Sequence, residues 1–211
     1  MNEEQSTFPF TSGAKGSRFG LFGGSFDPIH LAHLLLAETV RNALNLDRIV
    51  FMPASVAPHK QTRTATDGWH RLQMIRLAIQ DNPHFVVSDY ELCKPDLSYT
   101  VDTLEYLHQN GRFDRKQMYL IIGADNLQGF HTWKNPRRIV ALAQVVVVNR
   151  PQYEGMEPPA ARYGPFLSVT MPMMALSASE IRRRVADGQS IRYWTPGAVE
   201  KYIMDHRLYR D

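Results

Sequence analysis

The densest chemistry in this chain lies in Gly23-Gly24-Ser25-Phe26-Asp27-Pro28-Ile29-His30-Leu31-Ala32-His33, where a glycine pair is followed by two imidazoles at i and i+3. Glycine permits backbone angles and close approach that a side chain forbids, so the amides of Gly23, Gly24, Ser25 and Phe26 can point at an anion. A helix beginning near Ile29 would add unpaired N–H groups and the positive end of its dipole. On such a helix His30 and His33 share a face, and each ring can donate a hydrogen bond to a phosphate oxygen. Backbone donors, a dipole and two side-chain donors in one place suit a reaction in which negative charge builds on a phosphoryl group. The plainer reading is a tight turn with histidines capping a helix. A metal site would need a third ligand, and none stands at a recognisable spacing. The glycine spacing fits neither a Walker loop nor the dinucleotide fingerprint.

A second constellation is Leu176-Ser177-Ala178-Ser179-Glu180-Ile181-Arg182. A serine-rich helix start offers hydroxyls and amides to phosphate oxygens, and Arg182 adds a bidentate cation. Ser177 with Glu180 is also a capping box, which needs no ligand. Arg183 and Arg184 read as a solvated face. Four smaller groups could choose a second substrate. Pro58-His59-Lys60 brings a lysine to a loop, and Ser98-Tyr99-Thr100 either meets a ligand or caps a helix. In Gly123-Ala124-Asp125-Asn126 the carboxylate suits ribose hydroxyls or a helix cap. Trp133, beside Lys134, can stack on a flat heteroaromatic ring or fill a core.

The elements that must position these groups are legible as hydrophobic periodicity. Arg18–Phe22, Arg48–Met52, Phe85–Val87 and Met118–Ile122 read as short strands, and Val145–Val148 as a strand buried on both faces. Helical spacing marks Leu36, Val40, Ala43 and Leu44, then Leu72, Ile75 and Ile79, then Val101 and Leu104. Ser177–Ala186 is a helix with Ile181 and Val185 inward. Thr195 and Pro196 read as cap and first turn of a last helix whose inner face is Val199, Tyr202 and Ile203. The fold class is therefore α/β, a single Rossmann-like domain with a mostly parallel sheet flanked by helices. In such sheets ligands bind outside the carboxyl ends of the strands. The candidate groups fall there, after the first, second and fourth strands. The segment from Arg150 to Pro165 reads as a long surface loop.

Composition bounds the rest. The chain has 211 residues, 44% of them hydrophobic, enough for one sizeable core. We divide it into a flexible N-terminal extension, 1–17, and one domain, 18–211. No apolar run is long enough to span a bilayer, and the first residues lack the stretch of a secretory signal. Cys93 is the sole cysteine, so no intrachain disulfide forms, which fits a reducing cytoplasm. The formal charge of +3 and sequence pI of about 9.0 favour anionic partners. No aromatic-interleaved basic stripe points to nucleic acid. A homo-oligomer is compatible with the sequence, which sets no oligomeric state.

The first segment resembles the signature of the nucleotidylyltransferase superfamily, a Gly-x-Phe-Asp-Pro-x-His run followed by a second histidine, with Ala32 where glycine is commonest. The Leu176–Arg182 segment resembles that superfamily's second signature, Ile-Ser-x-Thr-x-Ile-Arg, with Leu176 and Ser179 as conservative departures. From about Phe19 to Tyr209 the chain is similar to the bacterial nicotinate-nucleotide adenylyltransferase family, on Pro-His-Lys, Ser-Tyr-Thr, Gly-Ala-Asp-Asn-Leu and Thr-Trp. The resemblance implies transfer of the adenylyl group of ATP, with Mg²⁺, to nicotinate mononucleotide, a step of NAD biosynthesis. It implies catalytic roles for His30, His33 and Arg182. ATP would meet Gly23, Gly24, Ser25, Phe26, Gly123, Asp125, Ser177, Ser179 and Ile181. The mononucleotide would meet His59, Lys60, Tyr99, Thr100, Trp133 and Lys134. The alternatives are a transferase of the same fold acting on nicotinamide mononucleotide or phosphopantetheine, and a regulatory nucleotide-binding module without chemistry.

Overall fold

The computed structural model describes residues 17–55, 66–94, 98–109, 113–149 and 162–210. The extension up to residue 16, His59 and Lys60, most of the 150–165 segment and the Asp125 side chain lie outside the described residues.

The strands are β1 (Phe19–Gly24), β2 (Arg48–Pro53), β3 (Phe85–Val87), β4 (Met118–Gly123), β5 (Gln144–Asn149) and β6 (Leu167–Thr170). The helices are α1 (Leu31–Leu44), α2 (Gly68–Ile79), α3 (Thr100–Gln109), α4 (Ala124–Gln128), α5 (Pro136–Leu142), α6 (Ala178–Ala186) and α7 (Gly197–Asp205). The sheet runs β3-β2-β1-β4-β5-β6, and every pairing in it is parallel. The order reverses between β1 and β4, so a crevice opens where their carboxyl ends diverge. Gly23 and Gly123 stand at that edge.

The strands bury both faces. Val146 and Val148 join Phe22, Phe51 and Ile121 in a core under α1, α2, α6 and α7, while Val145 and Val147 join Leu21, Val50 and Leu120 in a second core under α3 and α5. Alternation along each strand feeds both layers, which is why the β5 run is apolar without interruption. Gly20 is the exception that makes the central strand fit. A Cβ there would stand 2.7 Å from the side chains of both Ile121 and Ile49, its neighbours across the sheet.

Several expectations are corrected. The sheet gains β6, whose four residues bury only Val169 and so carry little signal. In α1 the buried positions are Ala37 and Val40, whereas Ala43 is exposed. α5 was not anticipated, although Asn135 caps it and Pro136 opens it. Thr195 does not cap α7, because Pro196 holds that position. Instead Thr195 is buried and its hydroxyl donates to the Ile29 carbonyl at 2.9 Å. Among the described residues no helix is long and apolar enough to cross a membrane.

Candidate active site

The turn leaving β1 is held from below. Phe26 adopts φ 48 and drives its ring into the core, 5.3 Å from Phe22, 5.7 Å from Phe51 and 5.1 Å from His33. A Cβ on Gly24 would meet that ring at 3.0 Å, so glycine lets the turn lie flat on its own plug. Any contact of Phe26 with a nucleotide is thereby limited to its backbone.

α1 starts at Leu31, two residues later than the sequence suggests, and His30 is its N-cap in extended conformation. The two histidines therefore do not share a helix face. They meet in another way, with rings stacked at 3.7 Å and 21°. The His30 amide donates to His33 Nδ1 at 3.2 Å. A neutral His33 whose Nδ1 accepts carries its hydrogen on Nε2, the tautomer that can donate to a phosphate oxygen. His30 itself is buried.

α6 brings the second constellation against the first. Arg182 Nη1 donates to the Asp27 carbonyl, a contact between residues 155 positions apart, and stands 3.8 Å from Asp27 Oδ2. Its Nη2 donates to Ser179 Oγ at 3.1 Å. Ser177 Oγ accepts from the Glu180 amide at 3.2 Å, so the capping reading holds for that hydroxyl. Ile181 is fully buried and its amide donates to the Ser177 carbonyl, so it anchors the helix and has no side chain to offer ATP. Arg183 pairs with Glu180 and Asp187 on the solvated side.

Three residues of this network were absent from the sequence-based set. Asp27 is buried and accepts from Tyr209 at 2.7 Å. Arg71, on α2, is 2% exposed and donates to the carbonyls of Ser25 (2.7 Å), Ala54 (2.8 Å) and Thr66 (2.9 Å). Burial pulls its ionisation below the ordinary value and the Asp27 charge opposes that. A guanidinium stays protonated regardless. Its role is to pin the turn after β1 to the two ends of the connection between β2 and α2. No pattern marks it, because an arginine on an amphipathic helix ordinarily reads as solvent-facing. Asp27 lay inside a quoted motif, so its signal was present.

The opposite lip is built from α3 and the segment after β4. Ser98 Oγ accepts from the Ser55 amide at 3.0 Å and donates to Glu91, whose Oε1 also accepts from Thr103 at 2.8 Å. Burial raises the Glu91 carboxyl above its ordinary value, against the pull of these two hydroxyls. Glu91 is the fourth residue that the sequence reasoning missed. The Tyr99 carbonyl accepts from the Asp102 amide at 3.0 Å, and Thr100 opens α3. Lys134 lies 4.7 Å from the Tyr99 ring centroid and donates to Asp102 at 2.9 Å, which holds its ammonium above the ordinary value. Trp133 is half-buried, 5.3 Å from Phe130. Gly123, not Asp125, is the N-cap of α4.

The arrangement thus brings together His30, His33, Ser179 and Arg182 on one side and Tyr99 and Lys134 on the other. The Ala54 amide donates to the Gly24 carbonyl at 3.0 Å and the Ser55 amide to Ser98 Oγ, and these links join the two lips.

Comparison with known proteins agrees with this geometry. A cytidylyltransferase-like family model matches residues 21–184. A Thermomicrobium roseum protein described as "Probable nicotinate-nucleotide adenylyltransferase" is 44% identical over 200 residues, covering 92% of this chain and 92% of its own length. A Thermus thermophilus protein of the same description is 44% identical over 193 residues, covering 92% of this chain and all of its own. The solved Plasmodium falciparum nicotinic acid mononucleotide adenylyltransferase complexed with NaAD superposes with a TM-score of 0.74 at 18% identity, covering 92% of this chain and 97% of that one, which speaks for the fold. The family match spans the Gly23–His33 and Leu176–Arg182 segments and the aromatic lip between them, and the chain belongs to the nicotinate-nucleotide adenylyltransferase family.

Proposed function

We propose that this protein transfers the adenylyl group of ATP to nicotinate mononucleotide, releasing pyrophosphate and forming nicotinate adenine dinucleotide. The observation that carries the chemistry is the contact of Arg182 with Asp27, which closes two distant phosphate-site segments over one crevice. The acceptor follows from family membership, and the aromatic lip at Tyr99 and Trp133 suits a pyridine ring.

ATP lies across the turn after β1, with its adenosine toward Gly123 and Asp125. The amides of Gly23 to Phe26, His33 Nε2, His30, Ser179 and Arg182 face the triphosphate. The mononucleotide sits against Tyr99, Thr100, Trp133 and Lys134, and its phosphate is assigned to His59 and Lys60 by family resemblance alone. An oxygen of that phosphate forms a bond to the α-phosphorus in line, and the bond from the α-phosphorus to the bridging oxygen breaks. Pyrophosphate leaves with the electron pair. The attacking oxygen is already ionised at neutral pH, so the protein supplies position and charge stabilisation rather than a general base. Mg²⁺ would be carried on the triphosphate and water, and when bound would neutralise charge on the leaving pyrophosphate.

A pyrophosphate-release assay with ATP, Mg²⁺ and each mononucleotide tests this reading. Release with nicotinate mononucleotide, and a product of the dinucleotide's mass, is expected. A higher kcat/KM for the amide mononucleotide would reassign the acceptor, and no release with any mononucleotide would revive the regulatory alternative.

A further inference from the structure

The turn after α7 carries Tyr209 back to the crevice. Its phenol donates to Asp27 Oδ1 at 2.7 Å, across 182 positions of sequence. The other carboxylate oxygen stands 3.4 Å from the Thr66 amide and 3.8 Å from Arg182 Nη1. A charge-assisted guanidinium–carboxylate pair closes to about 2.7–2.9 Å and is frequently bidentate. Here the pair is long and one-sided. Nη1 donates to the Asp27 carbonyl, and the phenol's bond to the far carboxylate oxygen holds the carboxylate turned away from a two-oxygen pairing with the guanidinium. Burial and the neighbouring carboxylate push the phenol's ionisation well above its ordinary value, so it remains a donor at neutral pH.

We infer that Tyr209 is a positioning residue for adenylyl transfer: its hydrogen bond orients the Asp27 carboxylate so that it does not close a bidentate pair on Arg182, and the guanidinium is not locked to that carboxylate when the triphosphate binds. The inference rests on the proposed role of Arg182 toward ATP. The phenol and the guanidinium compete for the Asp27 carboxylate, and the phenol decides the competition. Without the phenol the carboxylate rotates onto Arg182, and ATP must then break an ion pair to recruit that cation.

Tyr209→Phe keeps the ring and removes the donor. The expected result is a kcat about tenfold lower, the scale of one hydrogen bond to a charged group. KM for ATP should rise, KM for nicotinate mononucleotide should stay, and thermal stability should change little. In an Asp27→Asn background the neutral amide cannot form the competing pair, so adding Tyr209→Phe should cost no further activity. Wild-type kinetics in Tyr209→Phe, a loss confined to thermal stability, or an equal kinetic loss in the Asp27→Asn background would each overturn the inference. Arg182→Ala at full turnover would instead overturn the site assignment beneath it, so the two failures are distinct.

Discussion

The two lips of the crevice are built in opposite ways. On the triphosphate side a buried framework carries half-buried and exposed donors. His30 stacks on the half-buried His33, Phe26 wedges beneath them, and Arg71 fastens the turn to the connection between β2 and α2. On the acceptor side, Lys134 is half exposed above Tyr99, and Trp133 shows part of its ring. The difference fits the chemistry proposed for each lip. Donors that stabilise charge developing in a transition state are effective only if they need not reorganise. A ring face that receives a flat substrate needs area and access more than a fixed hydrogen-bond angle. The triphosphate lip should therefore govern turnover and the acceptor lip should govern KM.

His33→Ala tests the first half of that contrast most severely. Loss of one preorganised donor typically costs about two to three orders of magnitude in kcat. The ring also packs on Phe26, so the fold must be checked by circular dichroism. A folded His33→Ala enzyme with normal turnover would break the assignment. The second half is tested by Trp133→Ala, for which KM for nicotinate mononucleotide should rise by up to about tenfold, the scale of an aromatic contact, with kcat and KM for ATP nearly unchanged. If kcat falls more than KM rises, the two lips do not divide the work as the geometry implies.

How far this contrast was legible in sequence differs by lip. The triphosphate side was visible as contiguous motifs, because backbone donors and their glycines must be adjacent in the chain. Yet the helix start was misplaced by two residues, and the plainer reading, in which a histidine caps the helix, is the one that His30 fits. The framework behind the motifs was invisible. Arg71 and Tyr209 act across 46 and 182 positions, and periodicity carries no information at that range. β5 was easy to read because both its faces are buried. β6 was not, because an edge strand with one buried residue looks like loop. On the acceptor side the Tyr99 and Trp133 segments were singled out with plain alternatives beside them, the mononucleotide was assigned to them only through family resemblance, and Glu91 was not found at all.

Glu91 offers a pH test of how firmly the acceptor lip is anchored. Its carboxyl is raised above the ordinary 4.5 by burial. A folded state that binds the proton more tightly than the unfolded chain is stabilised most below the ordinary value and loses that contribution as pH rises through the raised one. Other carboxylates titrate in the same range, and Glu38 and Glu180 are lowered, so the informative quantity is a difference. The unfolding free energy of wild type minus that of Glu91→Gln should fall as pH rises across this window. A flat or rising difference curve would mean that the carboxyl is not held as its burial and its two hydroxyl partners imply.

The smallest expected effect separates the cap of α6 from its ligands. Ser177 was read both as a nucleotide contact and as a capping residue, and its Oγ now accepts from the Glu180 amide. Ser179, two residues on, instead accepts from Arg182. One hydroxyl thus orders the helix start, and the other orders the cation that the start presents. Ser177→Ala should cost about 1 kcal/mol of stability, the usual loss for an N-cap. Its effect on kcat should be far smaller than that of His33→Ala. Denaturant unfolding gives the first quantity and initial rates the second. A Ser177→Ala protein of unchanged stability but weakened ATP binding would move this hydroxyl from the scaffold to the site, and would extend the preorganised lip by one more side chain than its hydrogen bonds show.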